Sequence, residues 1–298
     1  MDNIKIFYET NQINHSFNFI EYAKLNPQTN NFCQPYCIDN NIDDLHRLYY
    51  HYAAYGGLIH TTTHQYQPSI SEHNLVKDKV SLVLLNWART ENVMDSLSFY
   101  THYDIIKDII VINNNPSITF KYDHHKVNVI NASKDLSLFS RFSVVPLANE
   151  DSVLFIDDDI FINEYTVNTL YKYWCENKSL IHGLFGRGID SRLNYQIETN
   201  DTNPPIVLTR CCMTHRDSVI KTLPYIYDFN KQFPTAKPKG NGEDILLSIS
   251  TLKHNSSNNK VYNLPHNEYI DTDDAIHTRF ADHLKHRSEV VKWCMKII

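Results

Sequence analysis

Short apolar runs that alternate with helical segments from Val80 onward constrain the fold most strongly. The runs are nearly continuous, unlike a strand with one face in water, where apolar and polar residues alternate. They are Val80–Leu85, Ile109–Ile112, Val127–Ile130 and Val153–Ile156. Apolar residues at helical spacing follow at Asn92–Tyr103, at Leu136–Leu147 and after Asn163, which we expect to cap its helix. This order predicts a parallel sheet that is buried on both faces and joined by crossover helices.

The last of these runs ends in three consecutive carboxylates, Asp157, Asp158 and Asp159. Ligands of open α/β sheets bind beyond the carboxyl ends of the strands, which is where this triplet falls. Adjacent carboxylates repel one another, and a divalent cation such as Mg²⁺ or Mn²⁺ usually compensates an oxygen-only group of this kind. A solvated acidic turn that caps the next helix is the alternative. The triplet alone does not separate the two interpretations.

The composition is that of an ordinary globular protein and narrows the choice of partners. The 298 residues, 42% of them hydrophobic, allow one large domain or one domain with an accessory piece. A net charge of −6 without a basic stretch argues against nucleic-acid binding. No apolar run reaches the roughly 18 residues of a membrane span, and the N-terminus lacks signal-peptide features. We therefore expect a soluble, cytoplasmic protein without a transmembrane segment, and the abundance of Asn, Ile and Lys suggests a viral or microbial origin.

The cysteines and the first 76 residues say less about the function of the chain than the acidic triplet does. Six cysteines without a CxxC pair favour reduced thiols, although Cys33 and Cys37 could join nearby histidines around zinc. Residues 1–76 show no clean periodicity apart from a predicted helix at Ile42–Tyr52. They form either an accessory module or a packing extension, followed by a main domain at residues 77–298.

Two later stretches place charged residues on predicted helices. Glu243 and Asp244 precede an apolar stripe, so that both acids lie at a helix N-terminus, where the helix dipole stabilises their charged form. Near the end, Arg279–Lys296 is a predicted helix on which His283 and Arg287 are four residues apart and share a face. Capping acids and a surface His/Arg pair are the structural alternatives to a catalytic role.

The order and spacing of these motifs resemble the exostosin-type glycosyltransferases, the family of the heparan-sulfate polymerases and their small α-N-acetylhexosaminyltransferase relatives. The resemblance covers about three quarters of the chain, from Val80 to the C-terminus. The matching segments are Asn86–Thr90, Val111–Asn114, Ser140–Phe142, Leu154–Asp159, Gly183–Arg187, Ile206–Thr209, Gly242–Ile245 and His283–Ser288. This resemblance implies a GT-A fold, that is, a Rossmann-like, mostly parallel sheet flanked by helices.

The resemblance also implies a function and a role for each matching residue. It predicts a metal-dependent, retaining glycosyltransferase that uses a UDP-sugar, favouring UDP-GlcNAc or another hexose donor, with Mn²⁺ or Mg²⁺ and a glycan or glycoconjugate acceptor. It assigns metal ligation to Asp159 and Asp157, and catalysis to Asp244, assisted by Glu243, and to Arg287 at the leaving diphosphate. It assigns donor binding to Arg89, Asn113, Asn114, Arg141, Asp157 and Asp158. Whether Asp244 forms a covalent sugar intermediate or assists same-face attack stays open, and a non-catalytic UDP-sugar- or glycan-binding relative is the alternative function.

The chain departs from the family pattern at several positions. Gly242 and Val290 stand where the family has two cysteines that are near in space and suit a disulfide, which agrees with a reducing compartment. Arg210, Cys211 and Cys212 replace a Gly-Ala-Ala segment. An arginine where a glycine allows close approach puts the family's donor and acceptor preferences in doubt.

Overall fold

A computed structural model gives the fold of residues 78–197, 201–253, 255, 257–268 and 282–298. The predicted helix at Ile42–Tyr52 and the Cys33–Cys37 pair lie outside these described residues. The domain boundary after residue 76 and the role of residues 1–76 therefore stay predictions. Within the described ranges, no helix has both the length and the apolar character needed to cross a membrane.

The first half of the described chain supplies four parallel strands of the main sheet and one short strand of a separate two-stranded sheet. Its strands are β1 (Val80–Asn86), β2 (Ile106–Asn113), β3 (Val127–Asn131), β4 (Ser152–Ile156) and the short β5 (Ile160–Phe161). Its helices are α1 (Thr90–Tyr100), α2 (Ser140–Ser143) and α3 (Glu164–Glu176). The neighbours β1–β2, β2–β3 and β1–β4 all pair in parallel, as the apolar runs predict.

The second half extends this sheet and covers it. It contains β6 (His182–Gly183), β7 (Gly186–Ile189), β8 (Tyr195–Gln196), β9 (Ile206–Val207), β10 (Cys211–His215), β11 (Lys260–Val261) and β12 (Asn267–Glu268). Its helices are α4 (Arg216–Thr222), α5 (Pro224–Gln232), α6 (Glu243–Leu252) and α7 (His283–Ile297). The main sheet has seven strands in the order β11-β6-β10-β4-β1-β2-β3, with β10 antiparallel to both of its neighbours. The predicted fold class, a mixed α/β protein with a mostly parallel sheet flanked by helices, is confirmed.

Successive residues of the central strands pack into two separate apolar cores, one on each face of the sheet. On one face, Leu82 and Leu84 of β1 pack with Leu97 of α1 and with α3, and all three are buried. On the other face, Val83 of β1 and Phe155 of β4 pack with α6 and α7. Because side chains alternate across a strand, a continuous apolar run supplies both faces at once. The position of the strands is therefore fixed from both sides, which holds their carboxyl ends in register.

The helix predictions are right in type and partly wrong in extent. Asn163 caps α3 as predicted, and its side chain accepts a hydrogen bond from the Thr166 N–H at 2.9 Å. The helix predicted at Leu136–Leu147 is wrong in length, because only α2 and a 3-10 turn at Val145–Leu147 are helical. Pro146 explains the break, since proline lacks an N–H donor and restricts the residue before it.

Candidate active site

The acidic triplet lies where β4 ends, at the carboxyl edge of the parallel strands. The N–H of Asp157, the first residue after β4, donates to the carbonyl of Arg210 at 2.9 Å. Because β10 runs antiparallel to β4, with Cys211 opposite Ile156, Arg210 enters the sheet beside the triplet. Strand pairing therefore brings a positive charge to the end of β4 that is distant in sequence.

Each carboxylate of the triplet pairs with a different arginine. The pairs and their nitrogen–oxygen distances are Arg141–Asp157 at 2.6 Å, Arg89–Asp158 at 2.8 Å and Arg210–Asp159 at 3.0 Å. The arginines come from three separate parts of the chain, namely the loop after β1, α2 and the residue before β10. Arg89 and Arg141, predicted to bind the donor, are thus at the triplet. Together the pairs form an alternating cluster of charges, in which the guanidinium groups are the parts that can bind a diphosphate.

The arginines do not fully compensate the triplet. Burial raises the pKa of Asp158 to about 6, and the charge of Asp157 adds to this effect while Arg89 opposes it. Burial also raises the pKa of Asp159, again with a contribution from Asp157 and against the effect of Arg210. A further positive charge near the triplet, or protonation, would therefore stabilise it.

At the predicted Mn²⁺ or Mg²⁺ site, arginine side chains already bind the two proposed ligands, Asp159 and Asp157. Arg141 and Arg210 each donate to the Oδ1 atom of one of these carboxylates. Among the residues that the structure describes, no group of three or more His, Cys, Asp or Glu side chains could hold a metal ion. With Arg210 in this place, the donor set does not fit a resident hard cation, which needs several oxygen ligands at about 2.0–2.2 Å. Binding of Mn²⁺ or Mg²⁺ at Asp159 therefore stays a prediction, and it would require Arg210 to move away from this carboxylate.

A second ion pair joins the predicted catalytic residues Asp244 and Arg287. Nη2 of Arg287 donates to Oδ2 of Asp244 at 2.6 Å, and both side chains are buried. Arg287 also donates to Oδ1 of Asn241 at 3.2 Å and lies over the Tyr195 ring, 4.4 Å from its centroid. Burial lowers the pKa of Arg287, but Asp244, Tyr195 and Glu243 together outweigh this effect, so that its pKa is raised. The guanidinium is therefore held charged against the Asp244 carboxylate in one fixed geometry.

Glu243 links this ion pair to the triplet. Its Oε1 atom accepts a hydrogen bond from the Thr209 hydroxyl at 3.1 Å, and the Thr209 carbonyl lies 3.4 Å from Nη1 of Arg141. Because Arg141 also binds Asp157, the contacts run from the triplet to α6 without interruption. Burial, reinforced by the charge of Asp244, raises the pKa of Glu243 to about 7. Asp157, Arg141, Glu243, Asp244 and Arg287 thus form one connected group of charged side chains.

Asn113 and Asn114, which were predicted to bind the nucleotide, use their side chains within the protein. Asn113 is fully buried and bonds to Asn86, the Ile118 carbonyl and Asn131, at 2.9, 2.6 and 2.8 Å respectively. The amide of Asn114 bonds to Asp135, the Leu136 N–H and the Ser137 carbonyl. These contacts tie together the loops that follow β1, β2 and β3. The two side chains therefore shape the loops at the sheet edge.

Gly242 and Val290 are in contact, as expected from the cysteines that the family has at these positions. A Cβ atom built on Gly242 would lie 3.4 Å from Cβ of Val290, close to the separation of about 3.5–4.5 Å in a disulfide. Gly242 has a φ of +113°, a region that glycine adopts most readily. The paired replacement thus keeps two neighbouring positions matched in size and leaves no thiol at either.

Sequence reasoning missed the partners that fix the charged residues. It identified Arg210 only as a departure from the family, whereas the structure pairs it with Asp159 and with Glu268 at 2.8 Å. It also missed Asn241 and Tyr195, which hold Arg287. An arginine directly before an apolar strand was the available signal for Arg210. To predict from this signal that Arg210 pairs with Asp159, one must know that β10 runs antiparallel to β4 and in which register. No local sequence pattern gives that information.

Comparison with known proteins identifies a family and two similar proteins. Residues 80–297 match the glycosyl transferase family 64 domain. A curated relative, glucosamine inositolphosphorylceramide transferase 1 of Arabidopsis thaliana, is 28% identical over 113 residues, which are 37% of this chain and 15% of the relative. Among solved structures, S. aureus TarS 1–349 in complex with UDP-GlcNAc is similar with a TM-score of 0.48 and 11% identity, over 74% of this chain and 67% of that one.

The family match runs from the first residue of β1 to the last residue of α7, so it includes every segment that builds the site. It covers the acidic triplet, its arginine partners and the Asp244–Arg287 pair. It also confirms, at the level of the family, the exostosin-type membership predicted from the order of the motifs. The chain therefore belongs to glycosyl transferase family 64.

Proposed function

We propose that the chain transfers a sugar from a UDP-sugar to a glycan or glycoconjugate acceptor with retention of configuration, giving an α linkage. The observation that carries this proposal is the continuous contact between the arginine-paired triplet and the buried Asp244–Arg287 pair. One end of this site suits a diphosphate, and the other presents a carboxylate to a sugar. GlcNAc is the favoured sugar by resemblance, with another hexose or N-acetylhexosamine as the alternative donor.

The donor-binding end uses the triplet and its arginines. Arg89 and Arg141 carry positive charge beside Asp158 and Asp157, where the uridine, ribose and phosphates of the donor would lie. Arginine is suited to this task because its planar guanidinium binds phosphate oxygens in pairs. Asn113 and Asn114 contribute indirectly, because their side chains fix the loops that surround the nucleotide.

The reaction replaces one bond to the anomeric carbon by another on the same face. The bond from this carbon to the β-phosphate oxygen breaks, and its electron pair stays on that oxygen. The acceptor hydroxyl oxygen forms the new bond, and its proton passes to the leaving phosphate. Arg287 stabilises the charge of the departing diphosphate, while Asp244 stabilises the positive charge on the sugar. In this scheme no step passes through Mn²⁺ or Mg²⁺, since Asp157 and Asp159 are bound by arginines.

The environment of Asp244 favours an electrostatic role over a covalent one. Oδ2 accepts from Arg287 at 2.6 Å, and Oδ1 accepts from the Ile245 N–H at 2.8 Å. A carboxylate with both oxygens engaged in short hydrogen bonds is a weaker nucleophile, but it keeps its negative charge. We therefore expect no covalent sugar–enzyme adduct when the protein is incubated with donor and analysed by intact-protein mass spectrometry.

The test is UDP release from UDP-GlcNAc, UDP-Glc and UDP-Gal, each with a panel of acceptors. Because the plant relative is named for glucosamine transfer on inositolphosphorylceramide, that lipid belongs in the panel beside glycans. One donor should release UDP, and Asp244→Asn or Arg287→Ala should each lower the rate by about 100-fold or more. Circular dichroism of the variants checks that both remain folded.

Arg216→Ala is the matched control for the loss of an arginine. Arg216 pairs with Asp151 at the opposite end of β4, so its removal should leave UDP release unchanged. UDP binding by calorimetry without cleavage of any donor would favour the non-catalytic alternative. Equal rates in the Asp244→Asn variant and the parent would refute the assigned role of the acid.

A further inference from the structure

Arg210 is anchored on three sides, unlike an ordinary surface arginine. Its Nε atom donates to Oδ1 of Asp159 at 3.0 Å, and Nη1 donates to Oε1 of Glu268 at 2.8 Å. The guanidinium also lies over the Phe185 ring, 4.8 Å from its centroid. Only 23% of the side chain is exposed. A side chain held by two carboxylates and a ring loses little further freedom when it binds a ligand.

The backbone places each of these partners. Arg210 precedes β10, and its carbonyl accepts the N–H of Asp157, which fixes its position beside the triplet. Glu268 lies on β12, which pairs with β5 so that Glu268 is opposite Ile160, just after the triplet. Strand pairing on both sides of Asp159 therefore holds Arg210 in place. Its position follows from the sheet rather than from a mobile surface contact.

We infer that Arg210 supplies, at Asp159, the positive charge that Mn²⁺ or Mg²⁺ was predicted to bring, so that sugar transfer proceeds without a divalent metal. This inference rests on the proposed function. A guanidinium is always protonated, and Nη2 of Arg210 has no hydrogen-bond partner among the described residues. Nη2 can donate to the β-phosphate oxygen as that oxygen receives the electron pair of the breaking bond.

A divalent ion at Asp159 would have to displace this arginine. It would break the bond between Nε and Oδ1 and leave two like charges beside one carboxylate. The structure therefore implies that Arg210 weakens metal binding as well as replacing it. Removal of the arginine should expose Asp159 to metal and make the reaction dependent on it.

The experiment compares the wild type with Arg210→Ala and Arg210→Lys, using Arg216→Ala as the control for the loss of a distant arginine. UDP release is measured in EDTA and in Mn²⁺. The wild type should release UDP equally well, within about twofold, in both conditions. Arg210→Ala should lose about 100-fold in EDTA and recover in Mn²⁺, whereas Arg210→Lys, which keeps the charge, should lose less. Arg216→Ala should behave as the wild type.

A second readout does not depend on turnover. The electron paramagnetic resonance signal of free Mn²⁺ reports how much of the ion the protein binds in the presence of UDP. Arg210→Ala should bind Mn²⁺ at least about tenfold more tightly than the wild type.

Three outcomes decide the inference. Wild-type activity that disappears in EDTA and returns with Mn²⁺ overturns it and leaves the proposed function standing. Equally tight Mn²⁺ binding by the wild type and Arg210→Ala also overturns it, even if no donor is cleaved. Absence of UDP release in every condition counts against the proposed function, and the Mn²⁺ binding measurement then decides the role of Arg210 alone.

Discussion

Replacement of Glu243 by glutamine tests the electrostatics of the site through stability. Glu243 is 5% exposed, and burial together with Asp244 raises its pKa from 4.5 to about 7. The folded protein therefore binds this proton more tightly than the unfolded chain does. The protonated Glu243 carboxyl therefore stabilises the folded state. This stabilisation is fully present below pH 4.5 and is lost as the pH rises through 7. Between pH 5 and pH 8 this loss is on the order of 2–3 kcal/mol of unfolding free energy.

Glu243→Gln keeps the acceptor for the Thr209 hydroxyl and removes the titrating carboxyl. The free energy of unfolding, from urea denaturation at pH 5, 6, 7 and 8, should therefore rise relative to the wild type as the pH increases. Glu289→Gln, at an exposed position on α7, controls for the loss of one negative charge. Parallel curves for Glu243→Gln and the wild type over this range would refute the reasoning, because Glu243 would then titrate alike in both states.

Two further substitutions test local structure. Gly242→Ala should lower the unfolding free energy by about 1–3 kcal/mol, because φ is +113° and the new Cβ would lie 3.0 Å from Val290 Cγ1. Denaturation of the Gly242→Ala/Val290→Ala double variant should show a coupling between the sites, and purely additive losses would contradict the contact. Asn163→Ala should cost about 1 kcal/mol by removing the cap on the Thr166 N–H, whereas Asn163→Ser should retain most of it. Equal melting temperatures of wild type and Asn163→Ala would count against the cap.

The fold could be predicted from sequence where the signal is local. The continuous apolar run at β1 identifies a strand buried on both faces, because side-chain alternation along one strand is itself a local property. The cap at Asn163 is local for the same reason. The run at Leu136–Leu147 misled the helix prediction, because apolar spacing outweighed the effect of Pro146. Periodicity and proline thus gave conflicting signals, and only the structure resolved them.

In the candidate site too, the sequence predicted which residues matter, whereas the structure was needed to show which of them are in contact. The resemblance carried by the triplet, by Glu243–Asp244 and by Arg287 predicted transfer from a nucleotide sugar before any contact was known. The sequence did not indicate that Arg287 binds Asp244, because α6 and α7 meet only through tertiary packing. Nor did it indicate that the Asn113 amide bonds to Asn131 at the end of β3; the assignment of Asn113 to the nucleotide stays a prediction.

Sequence alone determined that this chain builds a mostly parallel α/β sheet, belongs with the family 64 glycosyltransferases and carries an acidic triplet at a strand end. These properties reside in short segments whose order along the chain is itself the signal. Only the tertiary structure decided which charges meet. Asp159 and Arg210 are far apart in sequence, and the antiparallel register of β10 against β4 brings them to 3.0 Å. Ion pairs between distant segments depend on strand register, which the whole fold sets and no single segment encodes.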